Sequence, residues 1–544
     1  MKSVACIFAS TLKEIGVKYV FGVPSGNMID YIEAIRKEDG IDFVLVGHES
    51  TAAFMAAIYG RITGTPGVCF GTFGPGATNL ATGVGCAFLD RYPLIAFTDE
   101  MADHHRRRTV QMNINHQTLF SPITKWTTRI EPKRIKEIVF EAANIATTNI
   151  PGPVHIGVPA GMGEELVSKG ANIDIPVFRK KKIISERIIN TAIGEAVELF
   201  SKSKKPLLAI GLDAVRANVS SQIIDLAEKF NIPVVLTPMA KGMFPENHPL
   251  YSGVLFHALS DHVAKTYCEA DLVIGIGYDP VEFNYEDWMP DVHLMHINTY
   301  PADVDEKQVP RVLNVIQEID ESLKALLELS LIKNEWNLNV LAERKKEMFQ
   351  RLEPPSGSFG PRAVISELRK YLPQEGILTV DVGAHLHLLG QQWQTPSPDK
   401  LLMTNGWSSM GFAVPAAMAA KLLNPELPVA CLMGDGGFQM MVGELATAKR
   451  LNLAIVFIVI LDNSLSLIDI KQGKKGFDRQ YGTSLGNELY PKADNYFGVP
   501  VIRAEENESY QNAIKKAFSL NGPVVIEAVV DGSEYEDFVL RSNK

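Results

Sequence analysis

Residues 4–15 open the chain with Val4, Phe8, Leu12 and Ile15 at helical spacing and Lys13 and Glu14 between them. That pattern predicts an amphipathic first helix rather than a cleaved leader. Behind it, short apolar runs bounded by glycine, proline and polar residues alternate with longer stretches of helical period. Runs at 19–21, 43–46, 68–70 and 154–158 form one block; those at 206–210, 233–236, 272–276 and 293–297 form a second; those at 377–380, 429–433, 455–461 and 524–528 form a third. Strands separated by helices in this way predict an α/β fold of parallel, doubly wound sheets. Three such domains are expected, over 1–165, 185–335 and 358–530. Segment 161–184, with basic residues at 179–182, reads as a solvated linker, and a charged helix over 341–352 closes the middle block at Pro354-Pro355-Ser356-Gly357-Ser358.

The outer blocks share an order of features. In the first, a small-residue helix (52–60) leads through Pro66-Gly67 to a strand and the glycine-rich loop 71–76. In the third, a small-residue helix (410–420) leads through Pro428 to a strand and the loop 434–437. Small residues let a helix approach a sheet closely, and glycine after a strand leaves room for a ligand at its carboxyl end.

Composition narrows the partners. A length of 544 residues suits three or four domains, and 46% hydrophobic with 21% charged residues is ordinary for a globular protein. The net charge of −10 argues against nucleic acid or an anionic membrane as the main partner. The longest apolar run, 453–461, is too short to span a bilayer. Five scattered cysteines, with no Cys-x-x-Cys pair, point away from a zinc cluster and toward a reducing cytosol.

Three segments carry chemistry. Gly434-Asp435-Gly436-Gly437 follows the strand at 429–433, and Asp462-Asn463-Ser464 follows the strand at 455–461. Two carboxylates at neighbouring strand ends, with a backbone carbonyl, are hard oxygen ligands for Mg²⁺, which commonly completes its shell with phosphate oxygens. The amides of Gly436 and Gly437, at a helix start, would favour the same anion. Gly47-His48-Glu49-Ser50 puts Glu49 at a strand end among Val46, Ala52, Ala53 and Phe54, a carboxyl in apolar surroundings. Gly74-Pro75-Gly76-Ala77-Thr78-Asn79 forms a tight loop that opens a helix.

In this order the three segments resemble the thiamine diphosphate enzymes of the acetolactate synthase and 2-oxo-acid decarboxylase superfamily. The resemblance covers essentially the whole chain, including a metal-ligand position 27 residues after Asp435. It implies pyrimidine-binding, central and diphosphate-binding domains, and a shared fold for the outer two. It implies catalysis through Glu49, which would bond the cofactor's aminopyrimidine ring and run a proton relay. Cofactor contacts would come from Pro24, Pro75, Asn79, Ala384, His385, Met410, Gly434, Gly436, Gly437 and Ser464, with Met410 as the bulky residue that bends the cofactor. Mg²⁺ would be held by Asp435, Asp462 and the Ser464 carbonyl. A site shared between chains would make the protein a homodimer or homotetramer.

Within the superfamily the chain is similar to the catabolic, flavin-independent acetolactate synthases. Asp462 stands where most members have Asn, 270–283 (with Ile274-Gly275-Ile276-Gly277-Tyr278-Asp279) is similar to their central segment, and Lys471-Gln472-Gly473-Lys474-Lys475 to their charged stretch. The middle block has no Gly-x-Gly-x-x-Gly fingerprint that would make a case for flavin. Departures fall on the substrate side: Pro24-Ser25-Gly26-Asn27 replaces a lysine-bearing loop, His116-Gln117 lies close to Phe120-Ser121-Pro122, and Phe73 stands where a small residue is common. The implied activity is decarboxylation of a small 2-oxo acid with ligation to a second carbonyl. Simple release of an aldehyde is the alternative, with His104, His105 or His116 as possible proton donors. A non-catalytic cofactor-binding homologue ranks last, because Glu49 and both metal carboxylates are present.

Overall fold

The computed structural model describes residues 1–167, 192–330, 334–486 and 492–538. Most of the linker expected over 161–184, with its basic run, lies outside them. The first sheet runs Asp42–Leu45, Tyr19–Gly22, Gly67–Gly71, Leu94–Glu100, Pro153–Pro159, Trp126–Arg129 across its width, all parallel. The second runs Tyr251–Val254, Val234–Leu236, Pro206–Ile210, Leu272–Ile276, His293–Asn298, Val312–Ile316, also parallel. The third runs Leu401–Leu402, Ile377–Val380, Val429–Gly434, Ile455–Leu461, Val524–Val529, Val499–Ala504, with Asn495–Tyr496 added antiparallel at the edge. The fold is therefore three parallel-sheet α/β domains, as the alternating pattern predicts.

Sheets one and three share the order second, first, third, fourth strand before diverging at one edge. The internal parallel seen in the sequence is thus a parallel of topology. The middle sheet has the order 3-2-1-4-5-6, which turns at its first and fourth strands. There Gly211 N–H donates to the Ile276 carbonyl and Asp213 N–H to the Gly277 carbonyl, both at 2.9 Å, so the two loops meet.

Helix Glu49–Thr63 sits at the centre of the first domain, every residue from Glu49 to Gly60 buried. Its small side chains allow contact on all sides. It packs on helix Pro75–Leu89 and on helix Ala413–Leu423 of the third domain, where Phe54 meets Phe412 edge to face at 5.9 Å. The helices that precede equivalent strands in the two outer domains thus pack on each other. The sequence placed the second of them at 410–420; the structure begins it at Ala413 and puts Met410 in the preceding turn.

The close approach has a testable cost. A Cβ on Gly67 would fall well inside contact of the Ala56 backbone carbonyl, and backbone cannot yield as a side-chain tip can. Gly67→Ala should therefore destabilise the first domain by about 3 kcal/mol, read as an earlier thermal transition. An unchanged transition would mean that this helix does not lie against the strand as described.

Candidate functional site

Two groups of residues gather at the carboxyl ends of the outer sheets. In the first domain, the chain leaves strand Asp42–Leu45 and turns at His48, whose Nδ1 accepts the Ser50 amide and so caps helix Glu49–Thr63. Glu49 is the first residue of that helix and 8% exposed. Its Oε2 accepts a hydrogen bond from Asn79 Nδ2 at 3.0 Å. Its Oε1 faces Gly76, where a Cβ would stand 3.0 Å away. Gly74 reaches φ +70°, which glycine adopts without strain, and Pro75 begins helix Pro75–Leu89, where a missing N–H costs nothing. His116 is buried and structural: Nε2 accepts the Gly74 amide at 3.2 Å and Nδ1 pairs with Thr98 Oγ1 at 2.8 Å. The rings of His104 and His105 lie 4.1 Å apart and tilted by 47° in the loop after strand Leu94–Glu100. Pro24 is exposed in the loop after strand Tyr19–Gly22, beside Ser25, whose hydroxyl donates to Asp99.

In the third domain a cavity of about 220 Å³ is lined by Ala384, His385, Met410, Asp435, Asp462 and Ser464, together with Gly434, Gly436 and Gly437. Burial, and then the charge of Asp462, push the Asp435 carboxyl up to about 7. Burial raises Asp462 as well. Two desolvated carboxylates that repel each other make an acidic crevice that a divalent cation would relieve. Asp435 Oδ2 accepts the Asn463 amide at 2.8 Å and so fixes the loop that carries Asp462, while Asp462 Oδ1 accepts the Ser464 amide of its own loop at 3.3 Å. Asn463, between Asp462 and Ser464, takes φ +62°. The Ser464–Ser484 bridge is held by Leu465 N–H on Thr483 O and Leu485 N–H on Asn463 O, which leaves the Ser464 carbonyl out of that pairing.

The cradle is shaped by absent side chains. A Cβ on Gly436 would press on Leu465 and stand 3.0 Å from Met410 Cε; one on Gly437 would strike Asp381. His385 is 4% exposed, its Nε2 has no partner, and burial lowers its pKa to about 4, so it is neutral. One expectation is corrected: the Gly436 amide is not free for an anion but bonds the Asp435 side chain at 2.9 Å. Hard oxygen donors beside a glycine-lined hollow and an unpartnered imidazole fit a metal-bound diphosphate.

Two residues that the motifs did not mark organise these groups. Asp381, just past strand Ile377–Val380 and raised to about 6 by burial, accepts the amides of Gly411 at 2.9 Å and Phe412 at 3.0 Å, fixing the turn that carries Met410. Glu444 is buried and takes the Gly47 amide on both oxygens, at 3.0 and 3.1 Å, tying the third domain to the loop before Glu49. A carboxylate directly after a buried strand was the available signal for Asp381. For Glu444 there was none, since its partner lies 397 residues away. Among the described residues, neither Glu49 nor the 74–79 loop lines the hollow at Asp435.

Three parallel-sheet domains, with a glutamate on the first and paired aspartates on the third, define a class. The N-terminal binding domain of the thiamine pyrophosphate enzymes matches residues 2–119, their central domain 193–326 and their C-terminal binding domain 381–528. The chain belongs to the thiamine pyrophosphate enzyme family. Within it, the chain is similar to acetolactate synthases over nearly its full length. A probable acetolactate synthase large subunit of Methanocaldococcus jannaschii is 31% identical over 95% of this chain and 90% of its own. The acetolactate synthase of Arthrospira platensis is 31% identical over 98% and 95%, and that of Bacillus subtilis 29% over 96% and 92%.

Proposed function

We propose that the chain is a thiamine diphosphate- and Mg²⁺-dependent carboligase. It removes CO₂ from a small 2-oxo acid and joins the remaining carbon unit to a second carbonyl. The observation that carries this reading is Glu49 held by Asn79 on one domain and the Asp435–Asp462 crevice on another, in a chain similar to acetolactate synthases along its length. The domains assigned here, 1–165, 185–335 and 358–530, each enclose one of the three sheets.

Asp435, Asp462 and the Ser464 carbonyl would hold Mg²⁺, and Gly434, Gly436 and Gly437 keep the hollow clear for a diphosphate. Ala384 and His385 line the same hollow, His385 beside Gly434, and Met410, anchored through Asp381, offers an apolar edge near Gly436. Bound thiamine diphosphate supplies a nucleophilic carbon and an electron sink for decarboxylation. Glu49 moves the proton: its Oε2 stays pinned by Asn79 while Oε1 remains directed at the glycine loop, where a ring nitrogen can share a proton with it. Pro24 and Pro75 border that loop region. Glu49 is 8% exposed, and a site that excludes water would favour ligation over protonation of the carbon unit. The buried bonding of His116 supports a structural role rather than that of proton donor to an aldehyde.

Because Glu49 does not line the hollow at Asp435, a complete site would need a second copy. Leu45, Met440 and Ile468, close in sequence to Glu49, Asp435 and Asp462, are 41%, 60% and 47% exposed, apolar area suited to burial between copies. A homodimer or homotetramer is expected by sedimentation; a fully active monomer would contradict the shared site. Five scattered cysteines with no Cys-x-x-Cys pair support a cytosolic location. CO₂ release from 2-oxo acids should require both thiamine diphosphate and Mg²⁺, and release without either would remove the basis of this reading.

A further inference from the structure

We propose that the substrate is a 2-oxo acid bearing a second anionic group at its far end, held by Arg107 and Arg108. This rests on the function proposed above and narrows its substrate class. A cavity of about 440 Å³ lies behind the glycine loop, walled by Phe73, His116, Glu100 and the consecutive Arg106, Arg107 and Arg108. In a chain of net charge −10, the five residues 104–108 are all histidine or arginine.

The acids near this turn are already engaged. Glu100 accepts from Arg129 Nε at 2.5 Å and from the Gln117 amide, and Asp103 accepts from Arg129 Nη1 at 2.7 Å. Arg106 donates to Gln117 Oε1 at 3.1 Å. Among the described residues Arg107 and Arg108 make no ion pair, so two arginines line the cavity without a paired counter-charge. The turn that carries them is built: Asn113 Nδ2 donates to the carbonyls of Arg106 at 3.1 Å and Arg108 at 2.8 Å, and Met112 takes φ +64°.

That turn backs directly onto the catalytic loop. A Cβ on Gly74 would stand 2.6 Å from the Met112 carbonyl, and the Gly74 amide bonds His116 in the cavity wall. Two residues on, Gly76 faces Glu49. The 1-carboxylate of a 2-oxo acid departs as CO₂ and cannot hold the substrate through the reaction. A second anion that survives would do so, and paired guanidinium groups match a carboxylate or a phosphonate through bidentate bonds.

The test compares wild type with the double variant Arg107→Gln/Arg108→Gln, both exposed positions. Calorimetry uses glutarate, with two carboxylates and no 2-oxo group, against butyrate. Glutarate should bind wild type about tenfold more tightly, and the double variant should lose that margin. In turnover, 2-oxoglutarate or 3-phosphonopyruvate should exceed 2-oxobutanoate in kcat/KM, the better of the two telling carboxylate from phosphonate, and the variant should lose the preference chiefly through KM. Decarboxylation with no preference for either dianion, or a preference that the variant keeps, overturns this proposal and leaves the proposed function standing. Arginine-dependent glutarate binding without turnover of any 2-oxo acid supports the anion site and overturns the function.

Discussion

Glu49→Gln should lower decarboxylation by about 10²- to 10⁴-fold, the range over which positioned acid–base groups act, while cofactor binding stays close to wild type. Gln has the shape of Glu and can keep a polar atom toward Asn79 Nδ2, now 3.0 Å from Oε2. Helix Glu49–Thr63 begins through the His48 cap and is buried from Glu49 to Gly60, so its fold does not depend on the charge. What the amide cannot do is release and regain a proton at the oxygen facing Gly76. Steady-state CO₂ release, measured with thiamine diphosphate binding in parallel, separates the two effects. Turnover near wild type would remove Glu49 from the proton path.

The second large effect is expected at the acidic crevice. Asp435→Ala should weaken the combined binding of Mg²⁺ and cofactor by about 100-fold or more, since the proposed metal ligand is lost and the Asn463 amide loses its acceptor. Asp462→Ala should weaken it in the same direction, whereas Asp462→Asn retains an oxygen and should stay within about tenfold. The pH dependence has a definite sign. With the Asp435 carboxyl raised to about 7 in the metal-free protein, a proton competes with the cation below that value. Affinity should be full above pH 7 and fall as the pH drops through it. Titration of Mg²⁺ at fixed cofactor reads both effects; an Asp462→Ala protein with wild-type affinity would pass the role to Asn463.

How far the fold could be read from the chain depends on the environment of each strand. Strands Pro206–Ile210, Leu272–Ile276, Ile377–Val380 and Ile455–Leu461 coincide with their apolar runs, because sheets covered on both faces need unbroken hydrophobic sequence. Strand Leu94–Glu100 was missed since it ends in Thr98, Asp99 and Glu100, polar residues that the structure buries with partners: Thr98 with His116 and His155, Asp99 with Ser25. Trp126–Arg129 and Val499–Ala504 lie at or near sheet edges, where Thr127, Thr128, Pro500 and Arg503 obscure the pattern. In the same way, candidate groups contiguous in sequence, such as Gly434–Gly437 and Gly74–Asn79, stood out as motifs. Asp381 acts on amides 30 and 31 residues away and Glu444 on one 397 away, so only the folded chain reveals their work. Met410 looked like part of a helix because small apolar residues follow it; the Asp381 carboxylate instead holds the next two amides in a turn.

The central claim is ligation, and product identity tests it most directly. The protein would be supplied with thiamine diphosphate, Mg²⁺ and 2-oxo acids singly and in pairs, and the products identified by mass. A 2-hydroxy-3-oxo acid, heavier than either substrate after loss of one CO₂, is the predicted product. Free aldehyde with no ligated product, across the whole set of acids, would contradict the account and make the chain a simple decarboxylase.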